Sequence, residues 1–152
     1  MREAFIPEKG NMLLNVDYSQ IELRVLAHIS EDPGLTKAFL EDLDIHAATA
    51  SQVFGIKLKD VTPSQRRVAI AVNFGIAYGQ GAFGLADALG IPRGEAKDII
   101  TRYFTEFKGI RDYIDSTIKS AYEKGYVETL FGRRRYLEEL NGKNPMLKKF
   151  GE

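Results

Sequence analysis

The chain of 152 residues has no cysteine, only two histidines, and no excess of either charge: 21 basic side chains stand against 21 acidic ones. Without cysteine there is no disulfide scaffold and no thiolate metal site, which fits a reducing compartment. A net charge of zero gives no global electrostatic reason to expect nucleic acid as a partner. The start of the chain offers no apolar signal segment, because Arg2, Glu3, Glu8 and Lys9 interrupt it. One stretch, residues 68–86, lacks charge over roughly the length of a membrane span. Asn73, Gln80 and four glycines lie inside it, and a helix stop falls near Gly79. It therefore reads as a helix and turn of a soluble domain, with no membrane partner.

What is present is ordinary globular material. Apolar residues make up 44% and charged residues 28%, enough of each to build a core and solvate it. The length suits one domain. Charge is nevertheless uneven. Residues 1–60 carry 6 basic and 10 acidic side chains, and residues 61–152 carry 15 and 11, so neutrality is the sum of two unlike halves. No internal repeat or low-complexity linker divides the chain.

Local signals predict a mostly helical chain of α+β class with a minor β part. Residues 12–16 (MLLNV) read as a short buried strand ending at Asp17. Ile21, Leu23, Val25, Leu26 and Ile29 follow in a helical segment. Asp32 before Pro33 marks a second helix start, and Asp44 opens a third that ends near Gly55. The clearest start is Thr62-Pro63-Ser64-Gln65, where Thr62 caps, Pro63 takes the first helical position and Gln65 completes a capping box. That helix should run to about Tyr78. A short helix over 82–89 stops at Gly90, and Ile91-Pro92 opens a long one with Ile99, Ile100, Tyr103, Phe104 and Phe107 as its apolar stripe. Another runs over about 110–124 to Gly125. Residues 126–130 and 134–137 form a small hairpin about Phe131-Gly132-Arg133.

Four constellations carry possible chemistry. Asp17, at the end of the expected strand, is a hard oxygen donor suited to Mg²⁺, or equally the cap of the following helix. In the helix after Thr62, Arg66, Ile70, Phe74 and Tyr78 recur every four residues. Each step drifts by about 40°, so all four share one broad face. Arg66 near the helix start could meet a phosphate, with an aromatic platform beyond for a base or sugar. Packing of Phe74 and Tyr78 into a core, with Arg66 as a solvated end, explains the same spacing. His46 near a helix start can donate to an anion or be structural. Arg133, Arg134 and Arg135 at the hairpin tip can grip phosphates or be a solvated charge run.

Taken in order, these segments resemble the polymerase domain of family A DNA polymerases, the bacterial DNA polymerase I type. DYSQIELRVLAHIS at 17–30 resembles the family's motif A, and RRVAIAVNFGIAYG at 66–79 its motif B, on the helix usually called O. DIHAATASQVFG at 44–55 and GYVETLFGRRRYL at 125–137 are similar to further family segments. The resemblance spans residues 2 to about 141.

The resemblance implies a partial palm over 1–29, a helical fingers subdomain over 30–124, a palm hairpin over 125–141 and a tail outside the family over 142–152. It implies that Asp17 binds both catalytic Mg²⁺ ions, with the Tyr18 carbonyl on one, for in-line attack of a primer hydroxyl on the α-phosphate of a dNTP. Glu22 matches the residue that crowds a ribose 2′-hydroxyl, and Gln20 falls among the dNTP-binding positions of the same motif. His46 and Arg66 match side chains on the triphosphate, Arg66 with a catalytic part. Phe74 matches the residue against the incoming sugar and base, and Tyr78 the one that stacks near the templating position and moves as the O helix closes. Arg133, Arg134 and Arg135 fall near the primer–template backbone. The expected setting is bacterial cytoplasm, near the nucleoid.

Two departures qualify that picture. Four residues after Arg66 the family has a lysine that contacts the triphosphate and protonates pyrophosphate, and here stands Ile70. No segment of the 152 residues resembles a thumb, or motif C with the second metal-binding carboxylate. The expectation is a polymerase fragment with dNTP-binding fingers that is not catalytic alone. A non-catalytic fingers module kept for fold or docking is the alternative, and a split enzyme completed by the missing thumb and palm segments is a third.

Overall fold

The computed structural model describes residues 4–152. Eight α-helices follow in chain order: α1 Ile21–Ser30, α2 Pro33–Leu40, α3 Ile45–Phe54, α4 Pro63–Ala77, α5 Ala82–Leu89, α6 Arg93–Glu106, α7 Lys108–Lys124 and, after the hairpin, α8 Pro145–Gly151. Short 3-10 turns occupy Leu58–Asp60 and Glu138–Asn141. Strands β1 Tyr126–Glu128 and β2 Arg134–Tyr136 form a two-stranded antiparallel sheet, with Tyr126 opposite Tyr136 and Glu128 opposite Arg134. No described helix is long and apolar enough to cross a membrane.

Capping chemistry sets the helix starts. Asp32 Oδ1 accepts from the amides of Gly34 and Leu35 at 3.0 Å, and Pro33 needs no amide of its own. Asp44 Oδ1 accepts from His46 and Ala47 in the same way. At α4 the reciprocal box is complete: the Thr62 hydroxyl accepts from the Gln65 amide, and Gln65 Oε1 accepts from the Thr62 amide. Gly55, Gly90 and Gly125 close α3, α5 and α7 in the left-handed region, as expected.

The core lies among the helices. Leu23 and Leu26 of α1, Leu35 of α2, Ile45 and Val53 of α3, Val72 and Ile76 of α4, and Leu85 of α5 are buried in one cluster. Tyr103 packs on Phe107 with ring centroids 4.7 Å apart. Each buried aliphatic side chain contributes about 1.5–3 kcal/mol, whereas the Tyr103 hydroxyl is buried without a hydrogen-bond partner and offsets part of that ring's gain. Asp32 also joins distant parts of the chain, since its Oδ2 accepts from the Gly109 amide at the start of α7. A smaller cluster of Ala121, Leu137 and Leu140 ties α7 to the segment after the hairpin.

Three expectations are corrected. Residues 12–16 form no strand and are not buried: Met12 is 92% and Leu14 88% exposed. A strand needs a lateral partner for its amides and carbonyls, and the two described strands pair only with each other. Helix α7 starts two residues before Ile110, because Phe107 leaves the helical region and divides α6 from α7 there. The hairpin strands are three residues each, since residues 129–133 are consumed by the turn: the Thr129 amide donates to the Arg133 carbonyl and Gly132 sits at φ +80°.

Candidate triphosphate and nucleic-acid surfaces

Helices α3 and α4 pack together and bring His46 and Arg66 to one end of the pair. Their link is Asp44. One of its oxygens caps α3, and the other accepts from Arg66 Nε at 2.7 Å. Partial burial alone would raise the Asp44 carboxyl, but the Arg66 bond and the amides of Ala47 and His46 outweigh it and hold the pKa below the ordinary value. The ion pair is about 41% exposed on both sides, so it contributes under about 1 kcal/mol to stability. Its effect is geometric: it fixes the guanidinium beside the first turn of α3.

His46 is buried, at 5% exposure. Burial, and then the Arg66 charge, push its pKa below the ordinary value, against the opposing charge of Asp44. The Phe74 ring lies 5.9 Å away between centroids, tilted by 40°. Arg66, His46 and Phe74 are thus gathered in one place, with Ile70 partly buried on the same stripe of α4.

The other end of α4 meets α1. Tyr78 is exposed and its hydroxyl donates to Glu22 Oε1 at 3.3 Å. The Glu22 charge, and then the bond to it, raise the phenol's pKa. Beside the two runs an apolar groove of about 450 Å³ between α1, α4 and α7, lined by Ile21, Val25, Ile76 and Ile114 among others. Gln20, directly before α1, has φ +53° and makes no side-chain cap. A left-handed conformation costs a non-glycine residue about 1 kcal/mol. Asp17 and Tyr18 lie in the exposed segment before it, and no group of three or more acidic or histidine side chains suited to a metal occurs among the described residues.

The three arginines share a separate groove of about 750 Å³, with Ser120 and Lys124 of α7 on its other side. They are not equivalent. Arg134 pairs with Glu128 at 2.7 Å and stacks 4.5 Å over the Tyr126 ring, while Arg133 and Arg135 make no ion pair among the described residues. Sequence reasoning missed two buried polar side chains, Asn73 and Thr49, and the tie from Asp44 to Arg66. Asn73 had a visible signal, an amide on the same helical face as Ala69, Val72 and Ile76.

The family model described as "DNA polymerase family A" matches residues 1–152, including the eleven residues after 141 where the sequence resemblance stops. DNA polymerase I of Pseudomonas aeruginosa is 51% identical over 152 residues, covering all of this chain and 17% of that protein. DNA polymerase I of Streptococcus pneumoniae is 54% identical over 154 residues, again covering all of this chain and 18% of that protein. The chain thus spans under a fifth of these relatives. A solved structure, the POL domain of Pol1 from M. smegmatis in complex with DNA primer-template and dNTP, superposes with a TM-score of 0.83 at 44% identity, over 89% of this chain and 24% of that one. A family match over every residue, with relatives above half identity, places this chain in DNA polymerase family A.

Proposed function

We propose that this chain is the dNTP-binding fingers and partial palm of a DNA-directed DNA polymerase, serving template-dependent nucleotidyl transfer by the two-metal route. The observation that carries the reading is the gathering of Arg66 and His46 by Asp44, one residue from each of two packed helices, with Phe74 beside them. Arg66 Nε is taken by Asp44, and its terminal nitrogens remain as donors in a fork that suits phosphate oxygens. Phe74 offers a ring face to the sugar and base. Glu22, held by Tyr78, is the side chain that would crowd a ribose 2′-hydroxyl, with release of that bond as α4 closes.

The donors Asp17 and Tyr18 suit Mg²⁺ in chemistry, since that ion is commonly held by one or two carboxylates together with substrate phosphates. One carboxylate and one carbonyl fall short of holding two ions. Bound there, Mg²⁺ would activate the primer hydroxyl and neutralise developing phosphate charge. The arginine groove takes the primer–template backbone. The thumb and remaining palm act as partners, and the setting is the bacterial cytoplasm near the nucleoid.

Titration with the Mg²⁺ complex of dTTP tests the reading. Amide shifts at Arg66, His46 and Phe74 are expected at millimolar nucleotide, and their absence would remove it. A second reading, a non-catalytic module, has one observation in its favour: Ile70 is half-buried on the triphosphate face. Ile70→Lys separates the two. A working site gains about tenfold or more in affinity from the restored charge, and a packing face gains nothing.

A further inference from the structure

Three polar side chains behind the triphosphate face form a hydrogen-bonded chain that ends on a backbone carbonyl. His46 Nδ1 lies 3.1 Å from Asn73 Nδ2, Asn73 Nδ2 lies 3.1 Å from Thr49 Oγ1, and Thr49 Oγ1 lies 2.9 Å from the Ile45 carbonyl. Thr49 Oγ1 is also 3.2 Å from Asn73 Oδ1. Thr49 and Asn73 are both fully buried, so no solvent completes the set.

With Nδ2 as the Asn73 atom that faces His46, counting protons orders it. The Thr49 hydroxyl has one proton, and the Ile45 carbonyl, its nearer neighbour, can only accept. That proton goes to Ile45, which leaves Thr49 Oγ1 as an acceptor for Asn73. The Asn73 amide then spends one proton on Thr49 and the other on His46 Nδ1. A neutral imidazole that accepts at Nδ1 carries its proton on Nε2.

We propose that Asn73, braced by Thr49, is a positioning residue that holds His46 as the Nε2–H tautomer, so that the ring presents a donor to the triphosphate of a bound dNTP. This deepens, and rests on, the triphosphate reading above. The opposite tautomer would turn a lone pair toward the anion. Burial and the Arg66 charge disfavour the doubly protonated ring, so tautomer choice decides whether His46 donates at all. Asn73 adjoins Phe74 in sequence, so one turn of α4 carries both the ring face beside His46 and the amide behind it.

The test is a long-range proton–nitrogen correlation spectrum of the histidine rings in the ¹⁵N-labelled chain, followed by titration with the Mg²⁺ complex of dTTP. His46 is expected to show an unprotonated Nδ1 and a protonated Nε2. Asn73→Asp keeps the shape and in its ionised form supplies only acceptors, so in spectra recorded above that carboxyl's own titration it should move the proton to Nδ1 and weaken dTTP binding by roughly tenfold. A wild-type His46 protonated on Nδ1 overturns the proposal whether or not the variant folds. So does a folded variant with an unchanged ring pattern. A reversed pattern with no dTTP binding by either protein supports the positioning and overturns the triphosphate reading instead, which keeps the two failures distinct.

Discussion

The Tyr78 hydroxyl donates to Glu22 Oε1 at 3.3 Å and so joins the C-terminal end of α4 to the first turn of α1, 56 residues earlier in the chain. It is a single contact between exposed side chains, easily made and released, at a point where two helices face a shared apolar groove. The Glu22 charge disfavours ionisation of the phenol, so the contact is present below the ordinary tyrosine pKa and is lost as pH rises through the raised one. Glu22→Gln should therefore bring the Tyr78 titration back down toward the ordinary value of 10.0. Following the Tyr78 ring resonances from pH 8 upward in both proteins checks it, and identical midpoints would show that the two side chains do not meet in solution.

Gly109 has no room for a side chain. A Cβ there would lie 2.8 Å from the Asp32 Cα and 3.0 Å from the Ser30 carbonyl oxygen, both backbone atoms that cannot swing aside. Gly109→Ala should destabilise the fold by about 1–3 kcal/mol, by forcing α7 away from the start of α2 and weakening the bond from the Gly109 amide to Asp32. Gly94, in the first turn of α6, meets nothing within 4 Å. Gly94→Ala should stabilise by about 0.4–1 kcal/mol through the unfolded state. Urea denaturation of the two variants checks both signs.

What could be read from the sequence divides by range. Helix starts at Asp32, Asp44 and Thr62 were legible because a cap satisfies amides two and three residues onward and needs nothing else. The stripe Arg66–Phe74–Tyr78 was legible for the same reason, as it follows from helical spacing. Strand formation at 12–16 was not decidable, because apolar composition says nothing about which chain segment lies alongside. The tie from Asp44 to Arg66 and the Asn73–Thr49–His46 chain were hidden because they cross between α3 and α4, and single-residue patterns do not encode helix pairing. The arginine run read as three like charges, and only the register of β2 opposite β1 sets Arg134 against Glu128.

His46 is expected to stay neutral to a lower pH than an ordinary histidine. Burial is the larger cause and the Arg66 charge the second, with Asp44 opposing. A depressed folded-state pKa contributes stability that is present above the unfolded value of 6.5 and is lost as pH falls through the folded one. Arg66→Gln removes one lowering cause and frees the Asp44 carboxylate, so the midpoint should rise while burial still keeps it below 6.5. An NMR titration of the His46 ring checks it, and an unmoved midpoint would mean that Arg66 is screened from the ring.

The arginines of the hairpin should differ in their use on DNA. Arg134 is held by Glu128 and by the Tyr126 ring, so engaging a phosphate would first break a 2.7 Å ion pair. Arg133 and Arg135 have no such tie among the described residues, and both line the groove shared with Lys124. Each phosphate contact contributes about 0.9 to the slope of log affinity against log salt on duplex DNA. Arg135→Ala should thus lower the slope by about 0.9 if one contact is lost, and Arg134→Ala by distinctly less. The Glu128→Gln variant sharpens the comparison, because it releases Arg134 and removes a negative charge from the groove. Its salt slope should rise toward one further contact, and Arg134→Ala placed on that background should then cost as much as Arg135→Ala does. Fluorescence anisotropy of a labelled primer–template across a salt series measures the four variants beside the wild type. Equal slopes for the two single arginine variants would show that the Glu128 pair does not restrain Arg134.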